Sequence, residues 1–133
     1  MSKIIDKVAL IHIENKKILM TLSKGKDTYY FPGGKREANE SDSSCLKREI
    51  EEELSVDLIE DSLIPFGTYE AQAHGKDEGI IVKMTCLLGD FTGTPVPNNE
   101  IAEYTYFSYI DKDKASAVDQ LIFEDLKKKG MID

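Results

Sequence analysis

Glu49, Glu52 and Glu53 are the residues of this chain best placed to do chemistry, because they stand at i, i+3 and i+4. On a helix turning by about 100° per residue, that spacing gathers three carboxylates into one arc, while Glu51 points elsewhere. Leu46, Ile50 and Leu54 form an apolar stripe beside the arc, so the acids belong at the rim of a core. Like charges so spaced cost an isolated helix a few tenths of a kcal/mol per pair, and anions near a helix C-terminus meet an unfavourable dipole. A hard divalent cation offsets both, since Mg²⁺ takes carboxylate oxygens, keeps several waters and is readily shared with phosphates. A solvated acidic face with Lys47 and Arg48 as ion-pair partners is the other reading of the same residues.

The spacing around these acids is more specific than the acids themselves. Gly34, Glu40, Arg48, Glu49, Ile50, Glu52, Glu53 and Val56 fall in register with the Nudix box, G-x5-E-x7-R-E-U-x-E-E-x-G-U with U aliphatic, and Phe31-Pro32-Gly33 precedes it. The chain therefore resembles the Nudix hydrolases, and small MutT-like members in length. One position departs: Ser55 stands where the second glycine leaves the helix, and a left-handed exit there costs a non-glycine residue roughly 1–2 kcal/mol.

The resemblance implies an α/β Nudix fold, a mixed β-sheet sandwiched between helices, and hydrolysis of a diphosphate linkage with Mg²⁺ or Mn²⁺. It makes Glu49, Glu52 and Glu53 metal ligands together with the backbone carbonyl of Gly33. Arg48 would hold a neighbouring glutamate in its ligating rotamer, and Glu40 would brace loop and helix. A further carboxylate often precedes a late strand, and Glu100 takes that place as fourth ligand or general base, with Glu103 as second choice.

The elements that must position these groups can be read in outline. Lys7 to Ile13 and Ile18 to Leu22 form a hairpin through Glu14 to Lys17, and Tyr29 to Phe31 a third short strand. Pro32-Gly33-Gly34 stops that strand in a tight loop. A helix runs from Ser41 or Asp42, either of which can cap it, to Leu54. Leu63 to Gln72 and Ile80 to Leu88 are longer strands joined by a turn through Gly75 to Gly79, and Tyr104 to Tyr109 is another. Val118, Leu121, Ile122 and Leu126 mark a second helix from Ala115 to Lys129, closed by Gly130.

With 133 residues, one domain spanning 1–133 is expected. A net charge of −8 repels a nucleic-acid backbone, so the expected partner is a small nucleotide-like diphosphate met through cations. No apolar run approaches the roughly 20 residues of a membrane helix, and a cytoplasmic monomer or homodimer is the default. Cys45 and Cys86 read as buried reduced thiols, His12 as a structural histidine in an apolar strand, and His74 as an exposed turn residue.

Substrate signals are thinner. The arginine pair that often follows the second strand of MutT-like enzymes is replaced by Leu22-Ser23, with Lys24 and Lys26 nearby. Gln72 stands where ADP-ribose types carry proline, and the tyrosine of diadenosine types is missing. Tyr29, Tyr30 and Phe31 could stack a base, or serve the core. A nucleoside di- or triphosphate is the expectation; a sugar-linked or other non-nucleotide diphosphate, or a non-catalytic binding protein, is the alternative.

Overall fold

The computed structural model describes residues 3–72 and 79–133. The first strand, β1 (Lys3–Ile11), begins and ends earlier than its sequence pattern predicts, and a short β2 (Ile13–Glu14) turns through Asn15 and Lys16 into β3 (Lys17–Ser23). β4 is confined to Tyr29–Tyr30. The glycine segment expected as a tight loop is instead a strand, β5 (Gly33–Lys35), antiparallel to β1. Helix α1 (Asp42–Leu54) is capped by the Ser41 side chain, which accepts from the Ser44 N–H. It leaves through Ser55 in the left-handed conformation, φ 56° and ψ 37°, so the chain carries the strain that a glycine would avoid.

β6 (Asp57–Leu58), β7 (Ile64–Gln72), β8 (Ile80–Leu88) and β9 (Phe91–Thr92) follow. β6 and β9 form a small ladder too short to leave a pattern in sequence. Most of the turn expected between β7 and β8, and His74 with it, lies outside the described residues. The next strand, β10 (Ile101–Phe107), starts three residues before its expected beginning and takes in Glu103. Helix α2 (Ala117–Lys128) starts later than expected because Ala115 bridges to Tyr29 and Ser116 is its cap.

The strands form more than one sheet. β5-β1-β8-β7 is mixed, with β1 and β8 parallel, while β10-β3-β2 with β4 at its side is antiparallel. Alternation along β1 supplies both layers of the core: Val8 and Leu10 pack with Leu46, Ile50 and Leu54 of α1, and Ala9 and Ile11 with Ile122, Phe123 and Leu126 of α2. The mixed sheet thus has a helix on each face, as expected.

Candidate active site

The site is built where α1 meets β5. Gly33 has φ +140°, and a Cβ there would lie 2.1 Å from the Val8 carbonyl oxygen, so no side chain fits between β5 and β1. A Cβ on Gly34 would lie 2.5 Å from the Glu49 carboxyl carbon. Gly33 is therefore needed for the close approach of β5 to β1, more than for a turn, while at Gly34 the Glu49 carboxylate takes the space a Cβ would fill.

Glu53 is buried at 6% exposure and accepts a hydrogen bond from the Gly33 N–H at 3.0 Å. Burial pushes its carboxyl up to about 8; the Gly33 N–H opposes this, Glu49 and Glu100 reinforce it, and Lys7 opposes it more weakly. Glu49 is raised for the same first reason, burial, against the pull of Arg48. Arg48 grips Glu40 with two parallel bonds, Nε to Oε2 and Nη2 to Oε1, each 2.8 Å, while its Nη1 donates to Glu49 Oε1 at 2.9 Å. Glu40 Oε1 also accepts from the Glu37 N–H at 2.8 Å, and chiefly through Arg48 its carboxyl is held down at about 2. One guanidinium thus ties the loop before α1 to the helix and fixes the direction of Glu49.

Glu52 is not brought into this group. Its side chain is 52% exposed, lies 3.7 Å from Arg48 Nη1, and shares the outer face of α1 with Ser44, Lys47 and Glu51. Glu100 is brought in. The segment before it is stapled to the open carbonyls at the end of α1: Val96 N donates to Leu54 O at 2.8 Å, Asn98 N to Glu53 O at 2.9 Å, and Asn99 Nδ2 to Glu52 O at 2.8 Å. These bonds satisfy the helix terminus that has no basic last turn, and the Glu100 carbonyl accepts from Lys24 N at 2.7 Å. Together these bonds anchor the backbone on which Glu100 sits. Glu103 is engaged elsewhere, accepting from the Tyr29 hydroxyl at 2.8 Å.

Glu49, Glu53 and Glu100 line one cavity of about 340 Å³ together with Gly33, Gly34 and Lys7. It adjoins a larger one of about 680 Å³, between the mixed sheet and the start of α2, walled by Ile5, Val82, Met84, Ala117 and Val118. Of the aromatic strand Tyr30 lines both cavities and Phe31 the smaller one alone; Phe31 also packs against Phe123, and Tyr29 against Phe107. His12 is buried, with its ring nitrogens 3.1 Å from Gly89 O and 3.2 Å from Glu14 Oε2, and it lines neither cavity. Cys45 and Cys86 are free and buried.

Two site residues escaped sequence reading. Asp119, fully buried, accepts from the Phe31 N–H at 3.1 Å, and burial pushes its carboxyl up to about 7. Its other oxygen has no hydrogen-bond partner among the described residues. In sequence it is merely an acid in the first turn of a helix, where the dipole makes acids common. Lys7 lines both cavities, yet it stands at the polar start of a strand pattern and reads as solvated.

Among the described residues, no three acidic, histidine or cysteine side chains already converge as a ligand set. The donor chemistry nonetheless fits a hard divalent cation: three carboxylates share a cavity in which Glu49 and Glu100 raise Glu53, and a cation would relieve that.

A family model described as the NUDIX domain matches residues 4–125. The fold is similar to that of the Escherichia coli ORF135 protein, at 24% identity and TM-score 0.74 over 95% of this chain and 92% of that one. It is similar to a MutT Nudix hydrolase from Burkholderia pseudomallei, at 18% identity and 0.75 over 92% and 98%. It also resembles a Nudix hydrolase from Nitrosomonas europaea, at 16% and 0.76 over 98% and 92%. No curated protein matches the sequence. Among the described residues no helix is long and apolar enough to cross a membrane.

Proposed function

The chain belongs to the Nudix hydrolase family, and from that premise we propose that it hydrolyses a diphosphate linkage in a small nucleoside di- or triphosphate-like molecule with Mg²⁺ or Mn²⁺. The observation that carries this reading is the gathering of Glu49, Glu53 and Glu100 in one cavity that opens beside a larger, partly apolar one. The smaller space suits the diphosphate and the larger one the organic group.

In this reading Glu49, Glu53 and the Gly33 carbonyl hold metal, with Glu52 joining from the helix rim once its exposed side chain turns inward. The ion would supply Lewis-acid charge against the phosphate oxygens. Arg48 keeps Glu49 in place through the bond at 2.9 Å. Glu100, on its anchored backbone, supplies a further carboxylate that ligates metal or takes a proton from the attacking water. Net charge −8 disfavours polymeric nucleic acid as substrate. Buried free thiols suit a reducing compartment such as the cytoplasm.

A sugar-linked diphosphate is the second reading, favoured because Tyr30 is the one residue of the aromatic strand in the lining of the larger cavity, which leaves no aromatic pair from that strand there to sandwich a base. Incubation with Mg²⁺ and a panel of nucleoside triphosphates, nucleotide sugars and other diphosphates, followed by product identification, decides between them. Hydrolysis that stops on addition of EDTA is expected. Full activity in excess EDTA would sink the metal mechanism, and no turnover of any diphosphate would leave a binding protein.

A further inference from the structure

We propose that Lys7 binds the substrate phosphate nearest the organic group, at the junction of the two cavities. This rests on the diphosphate reading above. Five residues line both spaces, Lys7, Ser23, Tyr30, Lys35 and Met84, so a phosphate chain reaching from Glu53 into the larger cavity must pass them. Only two of the five are cations. Lys35 is exposed and keeps its water, whereas Lys7 is half buried in the wall between the cavities.

The surroundings of Lys7 point the same way. Alternation along β1 sets Lys7 on the face of Ala9 and Ile11, toward α2, and its ammonium lies over the Tyr30 ring at 5.5 Å from the centroid. Among the described residues it has no ion-pair partner, although Asp119, Glu53 and Glu49 are near enough to favour its charge. Burial outweighs them and lowers its pKa. A lysine kept half desolvated without a salt bridge is expensive for the fold and gains its partner when an anion enters. A compact point charge with three rotatable donors suits a non-bridging phosphate oxygen. A purely structural role, as counter-charge to Asp119 and Glu53, predicts a different outcome on mutation.

The test compares the full chain with Lys7→Met, which keeps the length and apolar stem, and with Lys7→Arg, which keeps the charge. With Mg²⁺ and the best substrate of the panel, Lys7→Met should raise KM about tenfold or more, with kcat falling less than about threefold, and Lys7→Arg should recover part of the loss. The melting temperature of Lys7→Met should equal or exceed that of the parent, since a buried charge is removed. An unchanged KM, or a loss of stability with no change in KM, overturns the proposal. Thermal shift with Mg²⁺ and inorganic pyrophosphate separates this from the hydrolase reading: a parent that shows the shift without turnover of any diphosphate refutes the hydrolase and keeps Lys7. The shift should be smaller in Lys7→Met. An equal shift in both proteins, or none in the parent, overturns Lys7 as the anchor.

Discussion

Two buried carboxylates, one from each helix, hold the same short piece of chain: Glu53 of α1 accepts from Gly33 N at 3.0 Å, and Asp119 of α2 accepts from Phe31 N at 3.1 Å. Burial raises both, to about 8 and about 7. Yet Glu53 opens on a cavity shared with two more carboxylates, while the free oxygen of Asp119 is enclosed without a partner among the described residues. The same backbone bond therefore serves two ends. On the α1 side it orients an acid that can ionise against a cation; on the α2 side it fixes the strand from which Tyr30 reaches the cavities. What surrounds the second oxygen, and not the first hydrogen bond, separates the two roles.

The sharpest way to break that comparison is to remove the charge on each side in turn. Glu53→Gln keeps the bond to Gly33 and should lower kcat by about 100-fold or more, as losses of electrostatic catalytic groups commonly do, with the fold intact. Asp119→Asn should leave kcat far less affected. Steady-state kinetics with Mg²⁺ checks both, and a near-normal rate in Glu53→Gln would remove it from the ligand set.

The largest effect expected on stability is the pH dependence without metal. Both folded values lie above the unfolded ones, so from about pH 4 to 8 the folded chain holds protons that the unfolded chain has released. Their stabilising contribution is complete below that window and is lost as pH rises through 7 to 8. Glu40, whose lowered value acts in the opposite sense, loses its contribution only as pH falls from about 4.5 through about 2. Chelated protein should accordingly lose about 5 kcal/mol between about pH 5.5 and 8. Mg²⁺ should flatten the loss by binding ionised Glu53, Glu53→Gln and Asp119→Asn should each reduce it, and denaturant melts at several pH values measure it. A wild-type curve that rises across this window would contradict the burial of both acids.

A smaller effect is expected at Glu100. Because its backbone is anchored to α1 and β3, Glu100→Gln should cut kcat by about tenfold with KM little changed, and Glu103→Gln should do little. The reverse ranking would place the active carboxylate on the Tyr29 side of β10. Smallest of all, Ser55→Gly should relieve the left-handed exit and add a few tenths to about 1 kcal/mol of stability, less than the strain because glycine loses more backbone entropy. An unchanged or lower melting temperature would show that Ser55 bears no strain.

The sequence by itself determined α1 and its acidic arc and narrowed its cap to Ser41 or Asp42, because these depend on spacing within a few turns of chain; the structure chose Ser41 and the left-handed exit at Ser55. The motif also singled out Arg48 and Glu40, but that the guanidinium grips Glu40 with two bonds while holding Glu49 emerged only from the fold. What only the tertiary structure decided lies across the chain. Pro32-Gly33-Gly34 looks like a turn in isolation, but β5 forms because β1, more than twenty residues earlier, supplies its ladder, and the glycines allow the approach. Glu52 shares the motif but faces solvent, a matter of which side of the arc the sheet covers. Lys7 and Asp119 carry no local signal, since an acid in a first helical turn and a lysine at a strand's start are ordinary until folding sets Lys7 in the wall of the cavities and encloses Asp119 against Phe31. Desolvation depends on neighbours distant in sequence, and that is why the charged wall opposite the glutamates became visible only in three dimensions.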